Sequence, residues 1–349
     1  MRATPTADRS GTVRLADHTT LRVGGPAGRF AVCDTEQALV DQVSEADARG
    51  EDVLLLGEGS NVVVSDDGFA GLVARVAHTG ISFVRQADRV VMRIAAGESW
   101  DNVVAAAVAE GLAGVESLSG IPGLTGATPI QNVGAYGAEI SDVLVGVRAF
   151  DRVEGASVLL DPSTCRLGYR TSALKGGRRY VVLGVELSLT PSKESAPLRY
   201  AELAATLDVE VNSRAAIDDV RSAVLALRAK KGMLIDAADP DSVSAGSFFT
   251  NPVLPAAAAP ADAPSWPVTS GPDGLVKIPA AWLIERAGFH RGFGEGHAGL
   301  SSKHTLAIVN RGDATSSEIV ALARAIRDGV QARFGVRLEP EPVLVGLEL

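Results

Sequence analysis

Cysteine is scarce in this 349-residue chain. There are two, Cys33 and Cys165, far apart and without CxxC or other metal-ligand spacing. That leaves no disulfide framework and no zinc ribbon to expect, only two reduced, packed thiols. Long apolar runs are missing too: none reaches the ~20 residues a membrane-spanning helix needs. Residues 1–11 are short, polar and lack the apolar core of a signal peptide, so a cytoplasmic protein is expected. Nor is there an excess of positive charge. Lys and Arg number 33 against 42 Asp and Glu, a formal net charge of -9. A nucleic-acid partner is therefore not expected, because neutralising phosphates needs clustered cations. His290, His297 and His304 recur every seven residues, but Gly292, Gly294, Gly296 and Gly299 break any helix that would align them. No metal site is expected, and Walker A and HExxH patterns are absent.

What is present is ordinary globular material, 46% hydrophobic and 21% charged. The length exceeds what one core usually serves, so two or three domains are predicted. Asp34-Thr-Glu-Gln37 reads as a capping box ahead of Leu39, Val40 and Val43 at helical spacing, with Gly50 as the stop. The alternation at 89–94 predicts a strand, and the Ala/Val-rich 99–110 a helix closed by Gly111. Further strands are predicted at 143–150, 157–160 and 179–190. Ser213 is read as the cap of an amphipathic helix reaching Lys230. Beyond Lys231 the texture changes, with an Ala/Pro-rich stretch at 255–267 and a helix over 279–286 before Gly288. The last helix opens at Thr315-Ser-Ser-Glu318, another capping box, and places Ile319, Leu322, Ile326, Val330 and Phe334 on one core-facing side. An apolar strand at 342–349 ends the chain and is free to rejoin an earlier sheet.

Chemistry is suggested first by the run VLLLGEGSNVVVS at 53–65, two buried-strand patterns, the first ending at Leu56, separated by Gly57, Glu58, Gly59, Ser60 and Asn61. Glycine permits positive φ and close approach, and successive N–H groups form a nest for a pyrophosphate. The third glycine and following helix of the doubly wound dinucleotide fingerprint are absent. Two readings stay open on this segment alone: an empty tight turn, or a nucleotide or flavin held in a non-Rossmann way. A second glycine-rich stretch, 114–137, is too broken by Gly and Pro for regular structure and too long for a mere connector.

The stretch IPGLTGATPIQNVGAYG at 121–137, taken with LGEGSN at 56–61, resembles the UDP-N-acetylenolpyruvoylglucosamine reductase family. Four further blocks follow in the family's order: CRLGYR at 165–170, SAGSFFTNP at 244–252, AAWLIER at 280–286 and LEPE at 338–341. The resemblance covers nearly the whole chain. It implies an α+β fold: a two-part FAD-binding unit of the vanillyl-alcohol-oxidase type plus a C-terminal substrate-binding domain. The implied boundaries are a flexible 1–13, a first FAD-binding subdomain at 14–80 joined by the returning strand 337–349, a second at 81–228, and a substrate domain at 229–336. It also implies the reaction: FAD reduced by NADPH, then hydride delivered from flavin N5 to the enolpyruvyl group of a nucleotide sugar, a peptidoglycan precursor step.

By the same resemblance, residues 56–61 with Ile121, Pro122, Gly123, Thr125, Gly126 and Ala127 hold FAD. Ser247 matches the proton donor, and Arg170 and Glu341 match residues at the substrate carboxylate and developing enolate. A serine is a poor acid in water, yet an enolate carbon is basic enough to take its proton when nearby cations stabilise the departing charge. Arg170 offers a bidentate fork. Glu341 is either protonated and donating to the substrate, or held ionised by Arg170 and a lysine. Tyr136, Tyr200, Lys231 and Asn251 match substrate-pocket positions, Tyr200 in the branch that carries an inserted loop. His304 stands where the family has a glutamine. A monomer is expected. The rival readings are a flavin oxidase of a sugar or lactone, which would not need Ser247, Glu341 and Tyr200, and a flavin- or nucleotide-sugar-binding module without catalysis.

Overall fold

The computed structural model describes residues 12–268 and 273–349. The expectation of a flexible segment at 1–13 falls almost wholly outside the described residues. The chain divides into two compact units, one of Arg29–Glu58 and Gly71–Lys230, the other of Met1–Gly28, Gly59–Ala70 and Lys231–Leu349. No described helix is long and apolar enough to cross a membrane.

The first unit is organised around a six-stranded antiparallel sheet. Its strands run Ala156–Leu160, Leu144–Asp151, Tyr180–Pro191, Val90–Ala95 and Ile81–Arg85 in spatial order, with Leu112–Ala113 also pairing with Tyr180–Pro191. Along Val90–Ala95 the side chains alternate, with Val90, Met92 and Ile94 buried and Arg93 exposed, as the period of two requires. The predicted helix appears as Trp100–Ala109. It sends Trp100, Val103, Val104, Ala107 and Val108 into the same core as the sheet. Gly111, just past its end, adopts φ +66, a left-handed stop that glycine takes at no steric cost.

A smaller sheet orders Ala27–Cys33, Phe69–Val76 and Val53–Leu56, the last two pairing in parallel from Val53 opposite Leu72. Helix Glu36–Ala48 covers it through Leu39, Val43 and Ala46. Its cap is Thr35, whose side chain accepts the Ala38 N–H, not Asp34. The helix begins one residue later than expected, where Glu36 in its first turn pairs with Arg148. The helix predicted from Ser213 begins at Ile217. Residues 213–216 are instead extended partners of 195–198: Ser195 N–H donates to Ala215 O, and Leu198 N–H to Ser213 O. Backbone groups engaged across a strand-like pairing cannot also open a helix.

In the second unit, Ser244–Ser247, Ala307–Asn310 and Ala298–Leu300 form a three-stranded antiparallel sheet with Ala307–Asn310 in the middle. Helix Ser316–Phe334 begins with the expected box: Thr315 accepts the Glu318 N–H while Glu318 accepts the Thr315 N–H. Ile319, Ile326 and Val330 are fully buried, worth roughly 1.5–3 kcal/mol each in transfer free energy. The Ala/Pro-rich stretch contributes edge strands Val253–Pro255 and Trp266–Pro267 on either side of Leu275–Lys277. The C-terminal strand Val343–Val345 returns to pair in parallel with Val62–Val64. Cys33 and Cys165 are buried and unbridged, and burial pushes both thiols above their usual pKa.

Candidate active site

Within the first unit, the two glycine-rich loops meet. The Gly123 N–H donates to Glu58 Oε2 at 3.2 Å. A Cβ on Gly57 would lie 3.2 Å from Leu124 Cδ1, a tight but tolerable approach. The second loop is laid onto the junction before helix Trp100–Ala109. Trp100 N–H donates to Gly123 O, Thr125 N–H to Glu98 O, and Gly126 N–H to Ala96 O. A side chain at Gly126 would put its Cβ 2.6 Å from that of Ala96, so only glycine allows this seating. Thus 121–127 is not a loose connector but a segment pinned through its main chain, with Gly123 at φ +119. Its start is gripped from behind. Gly120 N–H donates to Asp101 Oδ1 at 2.6 Å, and Arg228 Nε donates to Gly120 O at 3.0 Å.

Asp101, Arg221 and Arg228 carried no sequence signal, because each reads as a polar residue on an amphipathic helix. Arg221 holds Asp101 through two hydrogen bonds of 2.7 and 2.9 Å. Those bonds, helped by Gly120 N–H, keep the Asp101 carboxyl below its usual 3.8. A carboxyl with a lowered folded-state pKa stabilises the fold fully above its unfolded pKa, and the contribution is lost as pH falls through the folded value. Asp101→Asn is therefore expected to cost about 1–2 kcal/mol at pH 7, after allowance for partial exposure. The gap to the parent should close as the pH drops below about 4. Urea melts at several pH values check this, and a gap unchanged down to pH 3 would contradict it. Burial also pushes the Arg228 guanidinium down from its ordinary value.

The predicted pocket residues of this unit cluster around a two-residue hairpin, Gly134–Ala135 against Ala138–Glu139. Tyr136 at its tip takes φ +50, and Arg170 takes φ +52. Non-glycine residues in this region cost on the order of 1 kcal/mol and persist where their surroundings hold them. Arg170 is held by Gly134 O and by Asn132 O, and its guanidinium lies over the Tyr169 ring at 5.2 Å. The Tyr136 and Tyr200 rings meet edge-on, 5.4 Å between centroids. Burial pushes the Tyr136 phenol up to about 12, so it stays a neutral donor at physiological pH. Tyr200, 41% exposed, opens the short helix Ala201–Thr206, which packs on helix Ile217–Lys230.

Within the second unit, Ser247 ends a strand whose register shifts against Ala307–Asn310 between Ser244 and Ser247. Gly246 takes φ +73 there, and its N–H donates to Ser244 Oγ. This bulge re-aims the residue that follows it. Glu341 is tied to the same strand end, its N–H donating to Phe248 O at 2.9 Å. Asn61 of the first loop donates from Nδ2 to Glu341 O at 3.3 Å, and Val343 N–H returns to Asn61 O. Thr20 Oγ1 donates to Ser244 O at 2.6 Å, and Thr20 N–H to Gly59 O at 3.1 Å. The loop end Gly59–Asn61, Ser247 and Glu341, remote in sequence, therefore share one backbone network. The turn at Ser60 and Asn61 leads directly into strand Val62–Val64, with no helix, as expected. Asn251 Oδ1 accepts the Ala280 N–H at 2.9 Å and so caps helix Ala280–Arg286. Lys231 directly follows helix Ile217–Lys230, and His304 N–H donates to Ser301 Oγ at 3.1 Å.

Residues 27–159 match the family described as FAD binding domain. Residues 239–345 match UDP-N-acetylenolpyruvoylglucosamine reductase, C-terminal domain. The chain is similar to the UDP-N-acetylenolpyruvoylglucosamine reductase of Thermobifida fusca (strain YX), 50% identical over 350 residues that cover 97% of this chain and 98% of the relative. The protein of the same name from Nocardia farcinica (strain IFM 10152) is 54% identical over 351 residues, covering 97% and 90%. Among solved structures, UDP-N-acetylenolpyruvylglucosamine reductase from Thermus caldophilus matches with a TM-score of 0.64 at 26% identity, covering 96% of this chain and 98% of that one. Together with the paired glycine-rich loops, these matches define a class, an FAD-dependent oxidoreductase of mixed α and β structure. Within it, the chain belongs to the UDP-N-acetylenolpyruvoylglucosamine reductase family.

Proposed function

We propose that this chain uses NADPH and FAD to reduce UDP-N-acetyl-3-O-(1-carboxyvinyl)-glucosamine to UDP-N-acetylmuramate, in the cytoplasm and as a monomer. The observation that carries this reading is near-full-length identity of about half to reductases of that name. The site's chemistry is consistent with it. Two loops rich in glycine and small residues, joined through Glu58 and Gly123, suit the phosphates and flat ring of FAD. FAD held there would supply the hydride-transfer chemistry that links NADPH to the enolpyruvyl group. In this reading the protein supplies position, charge and one proton.

Residues 56–61 with Ile121, Pro122, Gly123, Thr125, Gly126 and Ala127 hold the cofactor. Arg170, oriented by the Gly134 and Asn132 carbonyls, presents its fork to the substrate carboxylate, where negative charge grows in the transition state. Ser247, displayed by the bulge at Gly246, gives the proton to the enolate carbon. Glu341 acts at the substrate carboxylate, its backbone anchored to Phe248 and Asn61. Tyr136 and Tyr200 contact the nucleotide sugar as neutral hydrogen-bond donors. Lys231 meets the diphosphate, assisted by Asn251 and His304. Residues 229–336 contribute the substrate domain.

The test is anaerobic. The purified protein should show flavin absorbance, bleach with NADPH, and recover its colour when the enolpyruvyl sugar nucleotide is added. Bleaching with recovery only on admission of oxygen would contradict the reading and favour an oxidase. Binding of flavin and sugar nucleotide without turnover would leave a binding module.

A further inference from the structure

The chain segment from Lys231 to Ser247 does more than connect two proposed pocket residues. It turns at Gly232, φ +65, where an added Cβ would lie 3.0 Å from the Asp241 Cβ. It then forms the short turn Pro240–Ser242, capped by Asp239 through the Asp241 N–H. Asp241 is only 8% exposed. Its carboxylate accepts the Ser302 N–H at 3.2 Å and the Ser302 hydroxyl at 2.6 Å. Asp239 Oδ2 accepts Lys303 Nζ at 2.8 Å. The next residue is His304, whose N–H, with that of Lys303, is fixed on Ser301 Oγ. Asp241 thus packs its Cβ close to the turn that follows Lys231 and holds, through its buried carboxylate, the loop that precedes His304.

The charges make sense in the same terms. Carboxylates beside a diphosphate would repel it, but Asp241 is engaged by two Ser302 donors and Asp239 is neutralised by Lys303. Lys303, the cation nearest His304 in sequence, is thereby committed to Asp239. A diphosphate bound by side chains held in advance gains affinity because less freedom is lost on binding.

We propose that Asp241, with Asp239 in support, is a positioning residue that sets the separation of Lys231 and His304 for the diphosphate of the nucleotide sugar; this rests on the substrate roles given to those two residues above. The experiment compares the parent holoenzyme with Asp241→Ala, Ser302→Ala and Ser302→Thr. For each, KM for the enolpyruvyl sugar nucleotide, kcat, the anaerobic rate of flavin reduction by NADPH, and Tm are measured. Asp241→Ala is expected to raise KM about tenfold or more, with kcat and flavin reduction within about twofold of the parent. Ser302→Ala, which keeps the N–H but loses the hydroxyl, should raise KM about threefold, and Ser302→Thr should restore it. A merely structural role would lower Tm and flavin content without this split. A folded Asp241→Ala with KM within twofold of the parent overturns the proposal. If Asp241→Ala does not fold, an unchanged KM in Ser302→Ala overturns it. A parent enzyme that bleaches with NADPH yet never turns over the sugar nucleotide overturns the functional reading and this proposal with it, whereas parental turnover with an unchanged KM in the variants overturns this proposal alone.

Discussion

Replacing Ser247 with alanine is expected to leave NADPH-driven flavin reduction within about twofold of the parent, while slowing reoxidation by the enolpyruvyl sugar nucleotide by about 10²–10⁴-fold, the range that a positioned general acid contributes. Ser247 follows a strand bulge, and the substitution removes one oxygen without disturbing the hydrogen bonds that build the bulge. Those are the Gly246 N–H to Ser244 Oγ and the Phe248 N–H to Leu306 O. The fold and the flavin site should therefore survive, which isolates the missing proton. Stopped-flow absorbance of the two half-reactions separates the cases. Equal loss in both would mean that Ser247 supports flavin binding or folding and not protonation. Ser247→Cys, which keeps a proton donor of lower pKa, should recover part of the rate.

The second large effect is expected at Gly59. This residue takes φ +65, and a Cβ there would lie 2.2 Å from His18 O and 2.6 Å from Thr19 Cα. Both obstacles are backbone, so neither can rotate away. Gly59→Ala combines roughly 1–2 kcal/mol of left-handed strain with an overpacking cost of about 1–3 kcal/mol or more. Relief requires the loop to leave Thr20, whose N–H donates to Gly59 O. The variant should be purified largely without flavin, and its melting temperature should rise less on adding FAD than the parent's does. Gly50→Ala is the control: it also has positive φ, but an added Cβ would meet nothing within 4 Å. It should pay the strain alone and keep its flavin. If Gly59→Ala retained a full complement of FAD, the loop at 56–61 would not be the pyrophosphate site.

Much of the fold was legible in the sequence where local rules act alone. The capping box at Thr315 and Glu318, the buried face of the helix that follows, and the left-handed stops at Gly50 and Gly111 are decided by interactions within a few residues. The same holds for the turn between Val53–Leu56 and Val62–Val64, where no helix follows. Errors fell where a distant partner outbid a local preference. Ser213 is a good cap in isolation, but pairing with 195–198 claims its backbone and delays the helix to Ile217. Asp34 and Thr35 are both competent caps, and nothing local chooses between them.

The candidate site divides in the same way. Glycines, the motif order, and the residue types at 170, 247 and 341 stand in the sequence, and with them the family and its flavin chemistry. The contacts that arrange those residues do not. Glu58 with Gly123, Asp101 and Arg228 around Gly120, and Asp241 with Ser302 join positions that no periodicity relates. Nor does the sequence mark the register shift that displays Ser247, because a bulge is defined by its partner strand Ala307–Asn310. Sequence alone determined which chemical groups this protein carries and which local turns present them, since those follow from residue identity and short-range sterics. Tertiary structure alone decided which groups hold one another in place, because hydrogen-bond partners separated by tens or hundreds of residues are selected only when the core closes.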